Sequence, residues 1–141
     1  MAKRLIFLVE DNPGDVRLIE ESMRVKSVDY RITHYETADA AVTAILRCGV
    51  NGAEVPDLIL LDYNVPRGDA RDILSAAAKN PALASIPKLV VSSSVAPRDR
   101  DQSLAMGADC FLNKPLSLDS FLSEVGGKIV ELLERHGVSP A

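Results

Sequence analysis

The stretch Leu58-Ile59-Leu60-Leu61-Asp62 constrains this chain more than any other. Four aliphatic residues in a row, with Pro56-Asp57 before them and Pro66-Arg67-Gly68-Asp69 after, read as a strand buried on both faces. Such runs mark a central strand of a parallel sheet. The run stops on a carboxylate, which places Asp62 at the carboxyl edge of the sheet, where open α/β sheets bind ligands. A lone aspartate after a strand is otherwise a turn or helix-capping residue. The rest of the chain decides between these roles.

Taken in order, the chain repeats the pattern. Leu5 to Val9 is an unbroken apolar strand, halted by Glu10-Asp11-Asn12-Pro13-Gly14-Asp15. Asp15 is placed to cap a helix that carries Val16, Ile19 and Met23 on one face. Tyr30 to Tyr35 alternates as a strand, and Thr37 to Arg47 reads as a helix ending before Gly49. Val50 to Val55 is a polar connection, and Asp69 to Lys79, with Ile73, Leu74 and an alanine run, is a helix. Ile86 to Val91 is a fourth strand ending on Ser92-Ser93-Ser94, and Pro97 to Met106 is a helix closed by Gly107. Asp109 to Leu112 is a fifth strand, followed by Asn113-Lys114-Pro115. On the final helix Leu118, Phe121, Leu122, Val125, Ile129, Leu132 and Leu133 form one apolar stripe, and the helix continues to about His136. Five alternations of strand and helix imply a five-stranded parallel sheet with helices on both faces.

Size and charge narrow the function. The 141 residues suit a single domain, with a core from about residue 4 to residue 134 and no effector domain attached. A net charge of −4 and no basic stripe argue against nucleic acid as a partner. The apolar runs are too short to span a membrane, and the one near the start meets Glu10-Asp11 where a signal peptide would have small residues. Cys48 and Cys110 have no ligand-spaced neighbours, so reduced thiols in a cytoplasmic protein are expected.

Strands that all point one way end at one edge. Glu10-Asp11, Asp62, Ser92 and Asn113-Lys114 are therefore expected together. Three converging carboxylates repel one another unless a cation joins them, and hard oxygen ligands suit Mg²⁺. Lys114 adds a positive charge able to hold a phosphoryl oxygen, and Ser92 adds a hydroxyl donor.

The segments Val9-Glu10-Asp11-Asn12, Leu60-Leu61-Asp62-Tyr63-Asn64-Val65-Pro66, Val90-Val91-Ser92-Ser93 and Leu112-Asn113-Lys114-Pro115 resemble the receiver domain of two-component response regulators. The likeness runs from about Arg4 to Glu134. Residues 9–19 also look like a subgroup of stand-alone receivers, some of them partnered with phytochrome-type sensor kinases. The resemblance implies a flavodoxin-like (βα)5 fold and a phosphoacceptor signalling protein, not an enzyme acting on separate substrates. It implies Asp62 as the phosphoacceptor, served by a sensor histidine kinase, with Ser92 and Lys114 on the phosphoryl oxygens. Asp11 and Asp62 would bind Mg²⁺ directly, Glu10 through water and Asn64 through its carbonyl. Phe111, three residues before Lys114, would be the switch aromatic that follows Ser92.

Three departures stand out. Asp69-Ala70 replaces the family's frequent Asp-Gly, Ser92 replaces its usual Thr, and Phe111 lacks the hydroxyl of a Tyr. The nearest rival is a Mg²⁺-dependent phosphatase of the haloacid-dehalogenase type. It needs a second Asp two residues after the nucleophile as general acid, where this chain has Asn64. Output through protein contact is expected, including a homodimer through the face bearing Arg98, Asp99, Arg100 and Asp101, with help from Val130. The downstream partner is not specified by any motif.

Overall fold

The computed structural model describes residues 3–136. The strands of a central sheet are β1 (Arg4–Val9), β2 (Tyr30–Tyr35), β3 (Leu58–Asp62), β6 (Lys88–Ser92) and β7 (Cys110–Asn113). Their order across the sheet is β2-β1-β3-β6-β7, every neighbouring pair parallel. The intervening β4 (Asn64–Val65) and β5 (Gly68–Asp69) form a separate small antiparallel hairpin. The helices are α1 (Pro13–Val25), α2 (Ala38–Arg47), α3 (Ala70–Ala78), α4 (Pro97–Ala105) and α5 (Leu118–His136). This is the doubly wound α/β fold expected from the sequence.

The strand runs are continuous because β1, β3 and β6 are covered on both sides. Leu5, Phe7, Val9, Ile59, Leu61 and Val90 meet α2 and α3 through Ala41, Ile45, Ile73 and Leu74. The alternate residues Ile6, Leu8, Leu58, Leu60, Leu89 and Val91 meet α1 and α5 through Ile19, Met23, Phe121, Val125 and Ile129. Leu118 departs from the expected stripe: it is exposed, while Phe121 three residues on is buried.

Register brings the functional ends level. Val9 pairs with Leu61, Asp62 with Val91, and Ser92 with Asn113. Glu10, Asp62, Ser92 and Lys114 are thus within a residue of the same edge.

Two local results differ from the sequence reading. Asn12, not Asp15, caps α1, its Oδ1 accepting from the amides of Gly14 (2.8 Å) and Asp15 (3.3 Å). After Asp62 the chain turns through the hairpin, with Arg67 at φ 62° and Gly68 at φ 137°. A Cβ on Gly68 would lie 2.6 Å from Asp72 Oδ2 and 2.8 Å from Ala38. The turn's glycine therefore precedes Asp69, and Ala70 is free to be the buried first residue of α3, with Asp69 and Asp72 forming a capping box.

Candidate functional site

Lys114 follows β7 directly and reaches back across the sheet edge. Its Nζ donates to Asp15 Oδ2 (2.6 Å), Asp62 Oδ2 (2.9 Å) and Glu10 Oε1 (3.1 Å). All three hydrogens of the ammonium are spent on carboxylates. The other oxygens of Asp62 and Glu10 are held by backbone: Asn64 N donates to Asp62 Oδ1 (3.2 Å) and Asn12 N to Glu10 Oε2 (3.2 Å). Glu10 is 1% exposed, Asp62 8%, and Asp11 lies open beside them.

The charges do not balance. Glu10, Asp11, Asp15 and Asp62 face one lysine. Burial, then the charge of Asp62, raises the Glu10 carboxyl to about 7, although Lys114 and the Asn12 amide work against the rise. Burial also pulls the Lys114 ammonium down, but hydrogen bonds to Asp15 and Asp62 and the Glu10 and Asp62 charges outweigh it, so its pKa ends above the usual lysine value. A pocket whose buried glutamate sits near neutrality has room for more positive charge. One oxygen each of Glu10, Asp11 and Asp62 lies within 4.8 Å of the others, a spacing that one small cation can bridge. Hard carboxylate donors fit Mg²⁺ or a similar ion. Asp15 is not part of that trio.

Ser92 is fully buried at the end of β6. Its Oγ accepts from Ser94 N (3.0 Å), and its carbonyl accepts from Lys114 N (2.7 Å). The following loop is tied twice more. Ser94 Oγ donates to Asp99 Oδ2 of α4 (2.5 Å), and Asn113 Nδ2 donates to Ser94 O. Phe111 is 3% exposed and meets the ring of Tyr63 edge to face, centroids 6.5 Å apart at 67°. Burial, then the nearby Asp99 charge, raises the Tyr63 phenol. Arg100 Nη1 donates to the Phe111 carbonyl (3.1 Å), so α4 is linked to both sides of this aromatic pair.

The sequence-predicted residues Glu10, Asp11, Asp62, Asn64, Ser92 and Lys114 share this edge, and Phe111 lies one strand residue behind it. Asn64 is exposed on β4, with no carboxylate at the position where the phosphatase reading needs a general acid. Sequence reasoning missed Asp15 as a partner of Lys114, and it missed the Ser94–Asp99 link. The first had a signal: an aspartate on the first turn after a strand end faces the same edge, but local capping rules claimed it.

A doubly wound sheet with a cation-hungry acidic pocket against a lysine and a buried hydroxyl defines a receiver of phosphoryl groups. The chain belongs to the response regulator receiver domain family, whose model matches residues 6–126. It is 31% identical over 125 residues to the response regulator Rcp1 of Synechocystis, covering 88% of this chain and 85% of Rcp1. The structure of the phosphorylated cyanobacterial phytochrome response regulator RcpA superposes with a TM-score of 0.80 at 32% identity, covering 99% of this chain and 97% of RcpA. The receiver domain of the Pseudomonas aeruginosa sensor histidine kinase PA1611, solved with magnesium coordinated in its active-site cleft, superposes at 0.72 with 25% identity over 96% of this chain and 99% of that one. Receiver domains are signalling modules of two-component systems, and a sensor kinase is the implied source of phosphate. No helix among the described residues is long and apolar enough to cross a membrane.

Proposed function

We propose that Asp62 takes a phosphoryl group from the phosphohistidine of a sensor kinase, or from a small acyl phosphate, and that the domain signals by changing the surface it offers to another protein. The observation that carries this reading is the meeting of the Asp62 carboxylate, the Lys114 ammonium and the Glu10–Asp11 pair in one pocket. An Asp62 oxygen attacks phosphorus as the nucleophile. The new O–P bond forms as the bond to the donor breaks, and the leaving imidazole keeps that electron pair. Glu10, Asp11 and Asp62, with the Asn64 carbonyl, would hold Mg²⁺, which when bound supplies positive charge to the phosphoryl oxygens. Lys114 holds a phosphoryl oxygen, and the Asn64 amide orients Asp62. The domain thus assists only its own phosphorylation and dephosphorylation. The likeness to Rcp1 and RcpA supports a phytochrome-type sensor kinase as the donor. Two free thiols, Cys48 and Cys110, suit a cytoplasmic setting.

The response runs through Ser92. If its hydroxyl turns to the phosphoryl oxygens, the Ser94 amide bonded to it is drawn along, and with it Asp99 and the start of α4. Phe111 and Tyr63 then repack as a pair. Ser92→Ala is expected to take up phosphate from acetyl phosphate yet show a much smaller shift of backbone amide resonances between residues 94 and 111. A full-sized shift in that variant places the switch elsewhere.

The homodimer proposal concerns α4, β7 and α5. Asp99 and Arg100 are engaged within the chain, which leaves Arg98 and Asp101 as exposed charges of opposite sign, with Leu104 37% exposed beside them in sequence. Reciprocal Arg98–Asp101 pairs suit a two-fold axis, and each exposed pair contributes only about 0–1 kcal/mol. A weak dimer strengthened by phosphorylation is expected in sedimentation at several concentrations with and without beryllofluoride. A monomer under every condition removes the proposal.

A further inference from the structure

Asp15 is the partner of Lys114 that belongs neither to the acceptor nor to the carboxylate trio. Its contact with Lys114 Nζ, at 2.6 Å, is shorter than those of Asp62 (2.9 Å) and Glu10 (3.1 Å). The Lys114 side chain is 14% exposed and that of Asp15 22%, so the pair is largely shielded from water. Glu10 and Asp62 have two claims on them. Lys114 holds one oxygen of each now, and each also offers an oxygen to the trio with Asp11. A divalent cation drawn to that trio is repelled by an ammonium already there. Lys114 then needs another anion close by, or it either blocks the cation or swings out on its flexible stem.

We infer that Asp15 is a positioning residue that holds Lys114 beside Asp62 while Glu10 and Asp62 turn to a divalent cation. It lies on the first turn of α1, which Asn12 caps independently, so its carboxylate is not required to start the helix. Asp15 anchors the lysine through the part of the cycle in which its other two partners are engaged elsewhere. The cation and the lysine can then occupy the pocket together, as phosphoryl transfer to Asp62 requires. This rests on reading Glu10, Asp11 and Asp62 as a cation site, and the experiment separates the two ideas.

The test is a double-mutant cycle read as Mg²⁺ affinity by calorimetric titration of unphosphorylated protein at one pH and ionic strength. Without Asp15, Lys114 falls back on Glu10 and Asp62 and competes with the cation. Asp15→Asn is therefore expected to weaken Mg²⁺ binding about tenfold when Lys114 is present, within the usual range for residues in contact. In a Lys114→Ala background the same change should cost about twofold or less, the residue of simple charge removal at a carboxylate outside the trio. Lys114→Gln serves as the background if alanine leaves the pocket too unstable to purify. Equal losses in both backgrounds would make Asp15 only a nearby charge and overturn the inference, as would no loss in either. A wild type that binds no Mg²⁺ ends the cation-site reading itself. A wild type that binds it, with no coupling in the cycle, ends only the role of Asp15.

Discussion

Asp62→Asn is expected to abolish phosphoryl uptake altogether. The substitution keeps the shape of the side chain and its backbone contact with Asn64 but removes the anionic oxygen proposed to attack phosphorus. Neither Glu10 nor Asp15 is placed to take over. Glu10 is buried behind Asp62 with both oxygens engaged, and Asp15 is bound to Lys114. The variant should fold well, because removing the Asp62 charge removes one of the forces that push the Glu10 pKa up. Intact-mass measurement after incubation with acetyl phosphate and Mg²⁺ should show one added phosphoryl group on the wild type and none on the variant. Equal labelling of the two would assign the acceptor to another residue.

Lys114→Ala should be the most destabilising single change in the pocket, and its effect should depend on pH and metal. Removing the ammonium leaves Glu10 and Asp62 facing each other in a buried site, and breaking a buried pair from one side costs about 3 kcal/mol or more. Glu10 sets the pH window. Its folded-state pKa of about 7 lies above its ordinary 4.5, so between these values the folded protein holds a proton that the unfolded chain has given up. Stability of the metal-free protein therefore falls as pH rises through this window. Without Lys114, one of the forces that lower the Glu10 pKa is gone, and the falling limb moves to higher pH. Thermal melts should show the variant far below the wild type at pH 8 and closer to it at pH 6. Millimolar Mg²⁺ should recover much of the loss at pH 8 by binding only the folded state. A variant with the same deficit at both pH values, and no response to Mg²⁺, would mean that Lys114 does not balance this pocket.

Much of the architecture was legible because buried parallel strands leave an unmistakable record. Leu5–Val9, Leu58–Leu61 and Leu89–Val91 are apolar on both faces, and that alone places their ends together. The acidic and basic residues at those ends then read as one site. What escaped was of two kinds. The β4–β5 hairpin has strands of two residues each, too short for any periodicity, and its shape is set by a non-glycine residue, Arg67, in the left-handed region. The Asp15–Lys114 contact spans 99 positions, and a local rule competed with it. Aspartate after Pro-Gly reads as a helix cap, while Asn12, before the Pro, does the capping. The Ser94–Asp99 link was hidden differently. Both residues look like ordinary solvated loop and helix polarity until the fold turns them toward each other.

The fourth helix is fastened unlike the others. Of its nine residues only Ser103 is buried, and the Ser103 hydroxyl has no hydrogen-bond partner among the described residues. Its other ties, Asp99 to Ser94 and Arg100 to the Phe111 carbonyl, are polar and close to water. Helices α1, α2, α3 and α5 bury leucine, isoleucine, methionine or phenylalanine against the sheet, so lifting any of them exposes apolar area at about 25 cal/mol per Å². None of the side chains of α4 is an apolar group buried in this way, so lifting it exposes less apolar area of its own. The molecule is therefore a rigid block with one loosely hung panel, and local opening there lies at the cheap end of its free-energy range. On the reading proposed above, phosphorylation of Asp62 would act on that panel while the block stays intact. On that same reading, new side chains on the exposed positions of α4 would change the surface offered to another protein without disturbing the buried core beneath the pocket.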